Sequence, residues 1–176
     1  MFGFLFRKNG AAHPADAAPA PAGQPASGVS APGTAIHYSA DLIARLKADH
    51  AQLLALYGAV KQAFANKDYA AVAAGLEDFR SAIQGHLLVE NVRLYIYLEH
   101  QLAQDPASFE LIHEFRREMD GIGKAVVAFL TRYRNIGSDR SLSPSFAKDL
   151  DAVGAVLVRR IEREEATLYP LYLPGY

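Results

Sequence analysis

The sequence predicts an all-α protein: an antiparallel, up-down four-helix bundle preceded by a disordered N-terminal arm. Apolar residues recur every three or four positions along four long segments between residues 40 and 168, which is the spacing of one face of an α-helix. The connections between these segments are short, and long amphipathic helices with short connections pack as antiparallel neighbours. The chain before residue 38 is dominated by Ala, Pro, Gly and Ser, which cannot build a core.

The four helices are expected at about 40–65, 69–99, 107–135 and 144–168. Ser39 is the expected N-cap of the first helix, and the second carries a regular apolar stripe over 72–94. The Asp-Pro pair at 105–106 separates the second helix from the third, and the Gly/Ser/Asp-rich stretch 135–144 is the last loop. Pro170 ends the fourth helix because proline cannot continue it.

Three parts therefore follow one another along the chain. Residues 1–10 form a short apolar and then basic peptide, residues 11–37 a flexible Ala/Pro/Gly-rich linker, and residues 38–173 the bundle. The 18 basic and 19 acidic residues nearly balance, so no electrostatic basis for binding nucleic acid exists. The chain has no cysteine, which excludes disulfides and thiolate metal sites. A cytoplasmic location is expected.

A short motif occurs twice. The sequence His86-Leu-Leu-Val-Glu90 matches a degraded copy, Arg160-Ile-Glu-Arg-Glu164, and residues 86–98 align without gaps to residues 160–172. Residues four apart lie on one face of a helix, so His86 and Glu90 point to the same side. The shared Glu and Leu-Tyr indicate an internal duplication.

Each copy follows an isolated histidine in a helical pattern. His50 lies 36 residues before His86, and His113 lies 47 residues before the second copy. Burying these three imidazoles beside Glu90 and Glu164 would cost several kcal/mol for each unpaired charge. A bound cation removes that cost, and nitrogen and oxygen ligands without sulfur suit iron, manganese or zinc. The pattern predicts a metal site.

These motifs resemble the hemerythrin-like (HHE) cation-binding domain. The matching pieces are D-H-A-Q-L-L-A-L-Y at 49–57, H-L-L-V-E-N at 86–91, F-E-L-I-H at 109–113 and E-E-A-T-L-Y-P at 164–170. The resemblance spans roughly residues 38–172. It implies an up-down four-helix bundle that holds a non-haem iron pair between its helices.

The resemblance also implies a ligand set. His50 and His86 would bind one metal, Glu90 and Glu164 would bridge the pair, and His113 would bind the second metal. The second metal's other histidine stands in the family where this chain has an arginine.

Arg160 leaves three interpretations open, because a guanidinium stays protonated and cannot ligate a metal. Arg160 swings out and Glu110, in a Glu-x-x-His spacing with His113, replaces it as ligand; or the second position is lost and one metal remains on the other ligands. In the third interpretation Arg160 pairs with Glu90 and Glu164 and replaces the metal altogether.

Three tyrosines, Tyr57, Tyr95 and Tyr169, follow the ligand positions by one or two helical turns. They are either core aromatics whose hydroxyl reaches a polar partner or hydrogen-bond donors to a small ligand on the metal. The remaining charges of the run at 159–165 are expected on a solvated helix face.

The implied function is binding or sensing O₂, NO or peroxide at a di-iron or depleted single-metal site, or handling iron. No lid, substrate pocket or general base is visible, which disfavours a dedicated enzyme beyond low peroxidase-like activity. The alternative is a helical-bundle interaction or regulatory module that has lost its metal.

Residues 1–8 carry a further expectation. Met1, Phe2, Phe4, Leu5 and Phe6 are apolar, and Arg7 and Lys8 follow them. This pattern favours a tethered peptide that contacts a protein partner or the anionic inner face of a membrane. The alternative is that the phenylalanines fold back onto the bundle.

Overall fold

A computed structural model describes residues 30–31 and 33–175. Within them the helices are α1 (Leu42–Ala65), α2 (Tyr69–Val89), α3 (Ile96–Gln101), α4 (Pro106–Arg132) and α5 (Ser143–Arg163). α2 and α3 form one long arm joined by a π-helical segment. The all-α four-helix prediction is confirmed, and the described residues contain only an isolated β-bridge, between Ser30 and His37.

Two π-helical segments interrupt the predicted helices. Glu90–Tyr95 joins α2 to α3, and Glu164–Leu168 continues α5 into a 3₁₀ turn at Tyr169–Leu171. Both segments begin at the glutamate of the duplicated motif. The duplication in the sequence is therefore matched by the backbone, and π-helical turns are frequent at functional sites.

The helix starts follow local capping chemistry, with one correction. The side chain of Asp68 accepts from Ala71 N–H at the start of α2, and Asp105 caps α4 ahead of Pro106. Ser39 does not cap α1 as predicted. The helix begins at Leu42, and the backbone N–H of Ser39 instead donates to the hydroxyl of Tyr172.

The core consists of two apolar clusters at different levels along the bundle. The first contains the buried residues Leu53, Val60, Val72, Leu76, Phe79, Ile83, Val126, Phe129, Leu130, Tyr133, Ile136, Phe146, Leu150, Leu157 and Ile161. The second contains Ala31, Leu42, Leu46, Leu94, Tyr95, Tyr97, Leu98, Ile112, Phe115, Leu168, Tyr169 and Tyr172.

A layer of buried polar side chains separates these clusters. Its members are His50, His86, Glu90, Arg160 and Glu164. On α1, for example, the residues before His50 belong to the second cluster and those after it to the first. The polar layer is therefore enclosed above and below by apolar side chains, which lower the local dielectric and strengthen the interactions between charges.

Packing against the bundle begins before residue 38. Ala31 is fully buried in the second cluster, and its N–H donates to the carbonyl of Ile36. The last part of the predicted linker thus contacts the core, whereas residues 1–10 and 11–29 lie outside the described residues. No helix in the described ranges is both long and apolar enough to cross a membrane.

Gly154 allows α5 to pack closely against α1. A Cβ at this position would lie 2.4 Å from the Tyr57 ring. We expect Gly154→Ala to lower the free energy of unfolding by about 1–3 kcal/mol, because the rigid ring must move. Urea denaturation measures the change.

Gly58→Ala is the matched control, since a Cβ there meets no atom within 4 Å. That substitution should leave stability unchanged or raise it by up to about 1 kcal/mol through helix propensity. Equal effects of the two substitutions would contradict the close packing at Gly154.

Candidate metal centre

Three buried side chains from separate elements converge in the polar layer. α1 supplies His50, α2 supplies His86, and the second π-helical segment supplies Glu164, with one ligand atom of each within 4.8 Å of the others. The Nε2 atom of His50 lies 3.2 Å from the Oε2 atom of Glu164. Metal–ligand bonds of about 2.0–2.2 Å separate the ligand atoms of one ion by roughly 3–4 Å. The group therefore suits one cation with small side-chain shifts.

Glu90 lies directly beside this group. Its Oε2 atom is 3.8 Å from His86 Nε2 and has no hydrogen-bond partner among the described residues. Its Oε1 atom accepts a long, 3.5 Å hydrogen bond from the hydroxyl of Tyr169. A buried carboxylate oxygen without a partner is costly. This unpaired oxygen is what a cation between His86 and Glu90 would satisfy, so the residues fit one metal.

Arg160 lies on the other side of Glu164 and is almost fully buried. Its Nε donates to Glu164 Oε1 and its Nη2 to the hydroxyl of Tyr95. Its Nη1 donates to the carbonyl of Phe115 at 3.1 Å and to Glu118 Oε2 at 2.9 Å. The guanidinium, each of whose nitrogens has an acceptor, thus supplies a fixed cation next to the predicted bridging carboxylate.

The two glutamates of the layer differ in the direction of their pKa shifts. Burial, followed by the nearby charge of Glu164, raises the pKa of Glu90 well above its usual value. Burial acts on Glu164 in the same direction, but its hydrogen bonds and attraction to His50 and Arg160 outweigh burial and lower its pKa. The surroundings thus favour the ionised form of Glu164 over that of Glu90.

The two histidines also differ. Burial disfavours the imidazolium of His50, but the hydrogen bonds and charges of Glu164 and Glu165 outweigh it and raise the pKa. Burial, and then the charge on His50, lower the pKa of His86. The surroundings thus favour the neutral imidazole of His86, which has one nitrogen lone pair for a metal.

The structure does not bring the other two predicted ligands to the layer. His113 is half-buried, and its ring packs against Phe109 with centroids 4.4 Å apart. Phe115 and Met119 of α4 are the residues that face the core. Because successive helical residues are rotated by about 100°, His113 points in a different direction from Phe115. Glu110 is exposed and pairs with Arg117 at 2.9 Å.

The position of Arg160 decides among the three interpretations in part. The side chain points inward and binds Glu164, and Glu110 lies on the surface, so neither residue is placed as the first interpretation requires. The loss of the second metal position agrees with the structure. Replacement of all metal by Arg160 is opposed by the unpaired oxygen of Glu90 and by the convergence of His50 and His86.

The three predicted tyrosines differ in whether their hydroxyl reaches the polar layer. Tyr169 lies within the layer, with its hydroxyl 3.1 Å from His50 Nε2, and Tyr95 accepts from Arg160. Tyr57 is half-buried and packs against the first cluster, and its hydroxyl donates instead to Asp151 at 3.3 Å.

Three carboxylates of the site were not predicted. Glu118 binds both Arg160 and Arg163, Glu165 binds His50 Nδ1, and Asp49 lies near His86 Nδ1. Asp49 directly precedes His50, and Glu165 directly follows Glu164. These D-H and E-E pairs are the sequence signal from which both residues could have been predicted. Nothing in the local sequence of α4 marked Glu118.

The family model of the Hemerythrin HHE cation binding domain matches residues 41–172. Because this match covers most of the chain, the protein belongs to the hemerythrin HHE cation-binding family. Members of this family are metal-binding helical bundles, and the buried group of His50, His86 and Glu164 agrees with that. No curated protein and no solved structure matches the chain.

Arg160 should contribute strongly to the stability of the metal-free protein. We expect Arg160→Met to lower the free energy of unfolding by about 3–5 kcal/mol, because the substitution leaves the buried Glu164 without its cation. Chemical denaturation of metal-free protein measures this loss.

Arg163→Met is the control, since Arg163 shares Glu118 but is 42% exposed. Its loss should cost no more than about 1 kcal/mol. A small and equal effect of both substitutions would show that the buried pair does not hold the layer together.

Proposed function

We propose that this protein is a hemerythrin-like protein that holds a single non-haem iron and binds or senses O₂, NO or peroxide. One observation carries the proposal: His50, His86 and Glu164 converge in a buried layer, while Arg160, at the sequence position of the family's further histidine, binds Glu164. A closely related function is the handling of the iron itself rather than of a small molecule bound to it.

The ligand set supports iron. Two histidines and one carboxylate form the set that non-haem iron(II) sites use while leaving coordination positions open. Iron bound there would supply an open position for a small oxidant. Manganese and zinc accept the same ligand types, so the metal has to be identified by measurement.

Glu164 connects the metal position to the fixed charge. Its Oε1 atom accepts from Arg160, and its Oε2 atom faces His50 Nε2. One carboxylate thus lies between a guanidinium and the proposed metal, where the family resemblance implies a bridge between two metals. Arg160 keeps this carboxylate ionised and oriented before any metal binds.

The space beside the histidines supports a small ligand. A cavity of about 10 Å³ is lined by Leu53, Ile83, Met119 and other apolar side chains next to His50 and His86. A cavity of this size holds about one water molecule. It would admit a diatomic molecule after slight adjustment but not an organic substrate, which favours binding or sensing over a dedicated enzyme.

A second function is favoured by the completeness of the Arg160 contacts. The guanidinium satisfies Glu164, Tyr95 and Glu118 without any metal. A bundle held together in this way could serve as an interaction or regulatory module. Metal analysis separates the two functions, because only the first requires a bound ion.

Metal stoichiometry tests the proposal. We expect about one iron per chain after anaerobic loading with iron(II), and we expect His86→Ala to lose most of it. The layer retains its other ligands, so the bundle should remain folded. Elemental analysis and equilibrium dialysis measure both quantities.

His113→Ala is the matched control, because it removes a histidine that lies outside the polar layer. Its iron content should equal that of the unchanged protein. Loss of iron in His113→Ala would support the paired-metal arrangement instead, and no iron in the unchanged protein would support the interaction module.

Residues 1–8 form the second part of the proposal: an apolar and basic peptide that attaches the bundle to an anionic membrane surface, in a peripheral cytoplasmic location. The test compares the full chain with one beginning at Gly28, which keeps the buried Ala31 and the Ser30–His37 bridge. We expect partial cosedimentation of the full chain with anionic vesicles and none of the shortened chain.

A full-length variant with Phe2, Phe4 and Phe6 replaced by Ser keeps both basic residues and is the control for charge alone. It should bind vesicles as weakly as the shortened chain. Equal binding by all three proteins would refute membrane attachment, and a lower melting temperature of the shortened chain would indicate packing of the peptide on the bundle.

A further inference from the structure

The two nitrogens of the His50 ring have different surroundings. Nε2 faces the layer, 3.2 Å from Glu164 and 3.1 Å from the Tyr169 hydroxyl. Nδ1 faces outward and lies 2.9 Å from the Oε1 atom of Glu165. A carboxylate can only accept a hydrogen bond. A proton on Nδ1 satisfies the shorter of the two carboxylate contacts, and in the neutral ring it leaves the Nε2 lone pair directed into the layer, where the Tyr169 hydroxyl or a metal can use it.

Consecutive residues of one segment produce this arrangement. Glu164 and Glu165 open the second π-helical segment and lie on opposite sides of the same imidazole ring. The wider turn of a π-helix reduces the rotation between neighbouring side chains, which lets both reach one residue of α1. The π-helical segment thus supplies a ligand and a support for a second ligand together.

His86 has no equivalent support. Its Nδ1 lacks a hydrogen-bond partner among the described residues, and the nearest carboxylate oxygen, Oδ2 of Asp49, is 3.7 Å away. Of the two histidines, only His50 has a carboxylate within hydrogen-bond distance of its Nδ1 atom.

We propose that Glu165 is a positioning residue, which fixes the tautomer and orientation of His50 so that Nε2 binds the metal. This inference rests on the proposed metal function. Carboxylates that bind the outer nitrogen of a ligand histidine orient the ring and raise its basicity, and their loss weakens metal binding by about 10- to 100-fold.

The chain offers matched controls for Glu165. Glu162 is an exposed carboxylate on the same helix, three residues earlier. Lys47 forms the only other ion pair of Glu165 found in the described part of the chain, at 3.5 Å from Oε2, and is itself exposed. Glu162→Ala removes the same charge without contacting His50, and Lys47→Met removes the surface ion pair while keeping the bond to His50.

The experiment titrates cobalt(II), a spectroscopic probe, into the unchanged protein, Glu165→Ala, Glu165→Gln and the two controls. We expect a 10- to 100-fold weaker affinity in Glu165→Ala. Glu165→Gln should recover part of it, because the amide oxygen accepts the same hydrogen bond. The controls should bind as the unchanged protein does, and all metal-free melting temperatures should agree closely.

Nitrogen-15 NMR of metal-free protein, in solution alkaline enough to neutralise His50, supplies a readout that needs no metal. The Nδ1–H tautomer should dominate in the unchanged protein and in both controls, and should be lost in Glu165→Ala. An unchanged tautomer in Glu165→Ala would overturn the inference, as would equal cobalt affinity. Failure of all five proteins to bind cobalt would refute the proposed metal function, and the tautomer alone would then decide the role of Glu165.

Discussion

The buried ion pair between Arg160 and Glu164 is the interaction on which the rest of the site depends. It places a permanent positive charge in a layer closed on both sides by apolar clusters. Such a charge is tolerated where its donors find acceptors, and Tyr95, Phe115 and Glu118 accept from the two Nη atoms. With Arg160 in place, Glu164 is oriented with one oxygen on the guanidinium and the other toward His50.

The backbone adapts to this layer at two equivalent places. Each copy of the duplicated motif changes from α-helix to π-helix at its glutamate, Glu90 in one arm and Glu164 in the other. The two copies have diverged in their first residue, a histidine in one and an arginine in the other. One half of the site thus keeps a histidine, while the other half contains a cationic side chain.

Much of this arrangement could be predicted because helical periodicity fixes which residues share a face. His86 and Glu90, four apart, were bound to lie together. The direction of the His113 side chain could not be predicted in the same way. Apolar residues also occupy positions next to it in the sequence, and a shift of one residue turns a side chain by about 100°. The π-helical segments have no local signature, and the contacts of Arg160 with Glu118 and of His50 with Glu165 depend on how separate helices pack.

The most direct measurement is anomalous X-ray scattering from crystals of the iron-loaded protein. The account predicts one iron peak among His50, His86, Glu90 and Glu164, with the Arg160 guanidinium still bound to Glu164. Two peaks bridged by Glu90 and Glu164, with Arg160 turned outward, would contradict it.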